Sequence, residues 1–143
     1  MPNETMQPKR IGEIASYHAH IYYDVAKTKS DAEILRRQIA ERFVVRVGNW
    51  HDELVGPHLK SMYQIAFAVD VFPQLVPWLM LNHRGLSIII HPNTDRPRDD
   101  HLLHALWVGE KLPVKGSVLP ETLGAEEEPE RLGPNTTPTI AEI

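Results

Sequence analysis

Between Ser16 and Ile90 strand-like and helical segments follow one another in a single order, and that order narrows the available folds more than any other feature. Ser16 to Tyr23 is rich in aromatic and branched residues and predicts strand one. Ser30-Asp31-Ala32-Glu33 is a capping box, in which the serine hydroxyl accepts from the Glu33 amide and Glu33 reaches back. Ala32, Leu35, Ile39 and Phe43 then recur at helical spacing, so helix one runs to about Arg42. Phe43 to Val47 reads as strand two, stopped by Gly48-Asn49, and Ser61 to Phe67 as strand three, entered through Gly56-Pro57. Asp70 is placed to cap a second helix, with Pro73 in its first turn and Pro77 expected to kink it before Gly85 ends it. Leu86 to Ile90 is strand four and Pro92 to Arg98 a loop. A third helix is expected from Asp99 or Asp100, carrying Leu102, Leu103, Leu106 and Trp107.

The order βαββαβ is that of a ferredoxin-like α+β fold, an antiparallel sheet with strand order 4-1-3-2, both helices on one face and here an extra C-terminal helix. Strand one would then lie between strands three and four, read as parallel to three and antiparallel to four. Three regions follow: a polar N-terminal segment over 1–13, the domain over 14–112, and a Pro/Glu-rich tail over 113–143 without apolar period.

Composition removes several functions. With no cysteine among 143 residues, disulfides, thiolate nucleophiles and zinc fingers are excluded. No apolar run approaches the roughly 20 residues of a membrane span, and Met1 to Arg10 lacks the apolar core of a secretory signal, so a cytoplasmic protein is expected. From Leu119 onward six acids face one base, while the preceding 118 residues carry 14 bases and 13 acids. A body so close to neutral has no broad basic face for phosphates, which argues against nucleic acid as a partner.

Eight histidines are the unusual count. Side chains alternate along a strand, so His18, His20 and Tyr22 share one face of strand one, expected to be the face the helices leave open. In the proposed strand arrangement the starts of strands one and three meet the end of strand four, which gathers His18, His58 and His91, with His20 two residues deeper. His101 follows strand four and could fold back over them. Several imidazoles converging from distant segments suit a metal, because imidazole is the commonest metal ligand near neutral pH. For His51, His83 and His104 a surface or helix-terminal role is the simpler reading. Asp95, Asp99 and Asp100 could ligate, cap the last helix or face water, with capping favoured for one of the pair at 99–100.

Tyr17-His18-Ala19-His20-Ile21-Tyr22-Tyr23, Gly56-Pro57-His58 through Met62-Tyr63-Gln64, Pro77 through Asn82, and His91-Pro92-Asn93-Thr94 through Asp100-His101 resemble the DOPA 4,5-dioxygenase family, over about residues 14–110. The resemblance implies a ferredoxin-like fold and extradiol cleavage of a catechol by O2 at non-haem Fe(II). A small aromatic diol would be the substrate. About three protein ligands leave Fe(II) open positions for catechol and O2. The expected ligands come from His18, His20, His58 and His91, with His101 as acid–base group and Tyr22 lining the pocket. Zinc or nickel could occupy such an all-imidazole site in purified protein.

Two other classes fit the same histidines: a zinc-dependent hydrolase or isomerase, and a non-enzymatic ferredoxin-like module that binds metal or ligand. Ferredoxin-like sheets often pair through an exposed face or edge, so a homodimer is also an expectation.

Overall fold

The computed structural model describes residues 7–124 and 133–141. Its elements are β1 (Ser16–Tyr23), α1 (Lys29–Arg42), β2 (Arg46–Val47), β3 (Ser61–Phe67), α2 (Phe72–Asn82), β4 (Ile88–Asn93), α3 (Pro97–Leu102) and β5 (Leu106–Val108). Short 3₁₀ turns cover Ile11–Glu13, Val69–Val71 and Gly116–Val118. The sheet order is β2-β3-β1-β4-β5, the expected 4-1-3-2 with one more strand outside β4. This is an α+β, ferredoxin-like architecture. Among the described residues no helix is long and apolar enough to cross a membrane.

Every neighbouring pair is antiparallel, including β1 with β3, where Tyr17 faces Phe67 and Tyr23 faces Ser61. The parallel β1–β3 pairing read from the sequence is therefore wrong. A crossover helix makes β1 and β2 parallel, and β3, hairpinned to β2, must run the other way.

One face of the sheet packs on both long helices. Ala19, Ile21 and Tyr23 of β1, Tyr63, Ile65 and Phe67 of β3, and Ile88 and Ile90 of β4 meet Leu35 and Ile39 of α1 and Leu75 and Leu79 of α2. A fully buried aliphatic side chain of this size contributes about 1.5–3 kcal/mol, so this face holds the domain together. The opposite face is not open, as the sequence suggested. Tyr22, Met62 and Ile89 are buried there beneath Ala105, Trp107, Leu112 and Val114.

That cover exists because the third helix is shorter than expected. α3 starts at Pro97 and stops at Leu102. Leu106, Trp107 and Val108 are not its continuation but β5, paired with Ile90, Ile89 and Ile88. The free edge of β4 offers backbone bonds that a solvated helix would leave unused, and alternation sends Trp107 to the histidine face and Val108 to the helix face. Gly109 lets the chain leave at φ 79°, where a Cβ would lie 2.7 Å from the Leu86 carbonyl oxygen.

Smaller boundary shifts have local causes. Helix α1 begins at Lys29 after an uncapped Thr28, so the Ser30 capping box does not form. Instead the Asp24 carboxylate accepts the Ala26 and Lys27 amides and turns the chain into the helix. Asp70 lies in a 3₁₀ turn and does not cap α2, whose first turn holds Pro73 as expected. Strand β2 is only two residues long, because Val45 instead exchanges bonds with Asn135 and Thr136. Strand β4 starts later, at Ile88, and runs through Pro92. A proline fits there because β5 reaches only as far as Ile90 along that edge.

The stretch after residue 112, read as a tail, touches the domain in both described parts. Lys115 donates its amide to the Pro57 carbonyl, and Leu123 to that of Asp95. Asn135 bonds both the amide and the carbonyl of Val47 with its side chain.

Candidate metal centre

The pleat of β1 sends His18, His20 and Tyr22 away from the helices, and β4, in register beside it, sends Ile89 and His91 to the same side. His18 and His91 are direct cross-strand partners, with rings 5.1 Å apart. His20 Nε2 lies 3.1 Å from His91 Nε2.

His58 reaches this group by a different route from the one expected. β3 begins beside Tyr23, at the far end of β1 from His18. The loop before β3 folds back over the histidine face, bridging His58 to Val114 and tying Pro57 to Lys115. The His58 ring is thereby set 4.1 Å from His20. His101, on α3, closes the group from above, 3.8 Å from the His91 ring and 6.1 Å from those of His20 and His58. Two triads emerge, His18 with His20 and His91, and His20 with His58 and His101. In each, one ligand-capable atom per residue lies within 4.8 Å of the others. All five histidines singled out from the sequence meet in one cluster, the two triads sharing His20.

The remaining three do not enter either triad. His51 bridges to Met62 through backbone, and His83 ends α2 with its Nδ1 2.9 Å from the Leu86 carbonyl oxygen. His104 is exposed. Among the acids, Asp100 is buried, stands in neither triad and does not cap α3. It accepts the Thr94 amide at 2.8 Å and the Thr94 hydroxyl at 2.6 Å, closing the turn from which α3 and His101 start.

Hydrogen bonding fixes how several rings present themselves. A carbonyl oxygen only accepts, so the Nδ1 atoms of His91 (2.9 Å from the Pro92 oxygen) and His101 (2.8 Å from that of Pro97) must carry hydrogen. A neutral ring then keeps its lone pair on Nε2. Carbonyl support of this kind is what metal-binding imidazoles ordinarily have.

His20 is the informative ring. Its Nδ1 is buried and has no hydrogen-bond partner among the described residues. If Nε2–H donates to His91, Nδ1 is a bare buried acceptor. If the hydrogen sits on Nδ1, two lone pairs face each other across 3.1 Å. Either way His20 keeps a lone pair that no hydrogen among the described residues satisfies, a costly arrangement that a cation would relieve. The donor set therefore fits a metal ion.

Charge states agree. Burial, reinforced by the neighbouring imidazoles, holds His20 and His91 well below the ordinary 6.5. His58 is lowered to about 4, first by burial and then by its neighbours, and burial also lowers His101. Neutral rings at physiological pH are those that can ligate.

Tyr22, 4% exposed, lines this pocket. Its hydroxyl is 2.6 Å from His58 Nδ1, and burial raises its pKa, so it remains a phenol. The Trp107 ring stacks on it at 5.9 Å, within 16° of parallel. Sequence reasoning placed Trp107 on a helix and missed this wall. The signal was the three-residue apolar run ending in Gly109, which suits a short edge strand as well as a helix end.

Three comparisons bear on this pocket. The profile of the Dopa 4,5-dioxygenase family matches residues 17–118, a span that contains all five histidines. The chain is 32% identical over 129 residues to an uncharacterized 21.2 kDa protein of Botryotinia fuckeliana, covering 79% of this chain and 68% of that one. It is 28% identical over 127 residues to a DOPA 4,5-dioxygenase of Amanita muscaria, covering 83% of this chain and 56% of that enzyme. A crystal structure from Nostoc punctiforme, of a protein named "putative dioxygenase", superposes with a TM-score of 0.76 at 42% identity. It covers 78% of this chain and 96% of the other.

Proposed function

This chain belongs to the Dopa 4,5-dioxygenase family, and from that premise we propose that it is an extradiol-type ring-cleaving dioxygenase. It would open a DOPA-like catechol with O2 at non-haem Fe(II). The observation carrying this reading is the meeting of five imidazoles from β1, β4, α3 and the loop before β3 in one cluster, three of them almost fully buried.

His18, His20, His58 and His91 would hold the iron, with no more than about three needed at once. When bound, iron supplies a Lewis acid for both catechol oxygens and a site at which O2 reacts. His101 is the acid–base group. It stands on a helix outside the sheet, its Nδ1 is committed to Pro97, and its Nε2 is left to take a catechol proton and later return one. Burial keeps His101 neutral at rest, the state a base requires. The Tyr22 phenol sets the orientation of His58, and Trp107 with Leu112 and Val114 keeps water from that side of the pocket.

The test is anaerobic loading with Fe(II), followed by oxygen-electrode and absorbance measurements with DOPA and a series of catechols. Catechol-dependent O2 consumption with a yellow ring-opened product is expected, and zinc-loaded protein should give neither. Full metal occupancy without O2 consumption on any catechol would overturn the proposal.

A further inference from the structure

A cavity of about 370 Å³ lies against the other side of the strands that carry the histidine cluster. That volume is within the range of small-molecule sites, about 300–1,000 Å³. Its wall includes Tyr17, Ile90 and Phe72, whereas the histidines adjoining them in sequence, His18 and His91, belong to the metal pocket. The sheet therefore separates this cavity from the histidine cluster, and the two share backbone.

The wall is aromatic. Tyr17 and Phe72 approach to 4.7 Å, and Phe67 stacks behind Tyr17 at 5.6 Å. The polar part is mainly basic: Lys9, Arg10 and Arg96 line the cavity against Glu13 and Asp95. None of the three cations is ion-paired with an acid among the described residues, and the Glu13 carboxylate is engaged by the Arg10 backbone amide at 2.9 Å. An apolar aromatic floor beneath unpaired cations suits a flat ring carrying one negative group.

We propose that this cavity is a second ligand site, distinct from the histidine pocket, that takes a single-ring aromatic carboxylate. The ring would rest on Tyr17 and Phe72, and Arg96 with Lys9 and Arg10 would neutralise the carboxylate. Because Arg96 immediately precedes α3, occupancy would bear on the segment that carries His101.

The test uses the full chain with 3-phenylpropionate as probe and its neutral amide as control, read by calorimetry and by amide shifts in ¹H–¹⁵N spectra. One-to-one binding of the acid is expected, with the largest shifts at Tyr17, Thr94 and Arg96, and binding at least about tenfold weaker for the amide. Arg96→Gln should weaken the acid about tenfold, and Ile14→Trp, which fills the cavity, should abolish it, both with metal content unchanged. His20→Ala should leave the affinity intact, which separates this site from the metal pocket. No binding at millimolar acid, equal binding of the amide, binding untouched by Ile14→Trp, or binding lost with His20→Ala would overturn the proposal. Binding that appears only after removal of residues 1–6 would also overturn it, by assigning the cavity to the chain's own N-terminus.

Discussion

His20 shows at a single position how a site can work against its own fold. Its unsatisfied nitrogen sits where water cannot reach it, and a buried polar atom without a partner costs about 1–3 kcal/mol. Replacing the ring by an apolar group of similar bulk removes that cost together with the proposed ligand. His20→Leu should therefore abolish metal uptake, measured by elemental analysis, while the unfolding temperature of the metal-free protein stays equal or rises. A variant that kept full metal content would remove His20 from the ligand set. The lowered histidines carry a pH signature of the same origin. In the unfolded chain they take up protons near pH 6.5, but in the folded metal-free protein only at lower pH, about 4 for His58. Protons bind the unfolded state preferentially between those limits, so stability should fall as pH drops from about 6.5 toward 4. Asp100, raised by burial, acts in the opposite sense, but four histidines outweigh one carboxylate. Denaturant midpoints measured across that window check the sign, and a flat profile would contradict it.

At the level of elements, the turn before α3 decides where His101 sits. Asp100 holds it through two bonds to Thr94, and Asp100→Ala leaves the Thr94 amide without its acceptor. The expected loss is about 1–3 kcal/mol in urea denaturation, with faster hydrogen exchange at Thr94. Gly109→Ala should cost about as much, since it forces a left-handed residue against the Leu86 carbonyl and disturbs the exit from β5. These two devices also mark the limit of what the sequence discloses. The alternation of Tyr17-His18-Ala19-His20 and the helical recurrence of Leu35 and Ile39 are local signals, so β1 was legible to the residue and α1 to within two, its N-cap Thr28 lying two residues before the expected Ser30. The pairing of His18 with His91 followed from strand order alone. His58 joined the expected group although the strand direction used to place it was wrong. Its position depends on the bridge from His58 to Val114, 56 residues on, and no local pattern encodes that contact. Leu106 to Val108 were misread because three apolar residues satisfy either period, and only the vacant edge of β4 decides between them.

For the molecule as a whole, the last described residues matter more than their composition suggests. Asn135 and Thr136 occupy the polar backbone groups of Val45 and Val47, so residues 133–141 cap an edge that would otherwise be open to another chain. Ending the chain at residue 124 should lower the unfolding midpoint and bring concentration-dependent self-association, detectable by light scattering. A truncated chain as stable and monodisperse as the full one would deny this segment its role. The covering of the histidine face has a different consequence. Four of the five imidazoles come from residues 18–91, whereas the apolar cover beside them, over Tyr22, Met62 and Ile89, comes wholly from residues 105–114. On the proposed function, ligation and the pocket's apolar wall would be written in separate stretches of one gene, and a graft of the later stretch from a relative would offer a way to transplant preference without disturbing the ion.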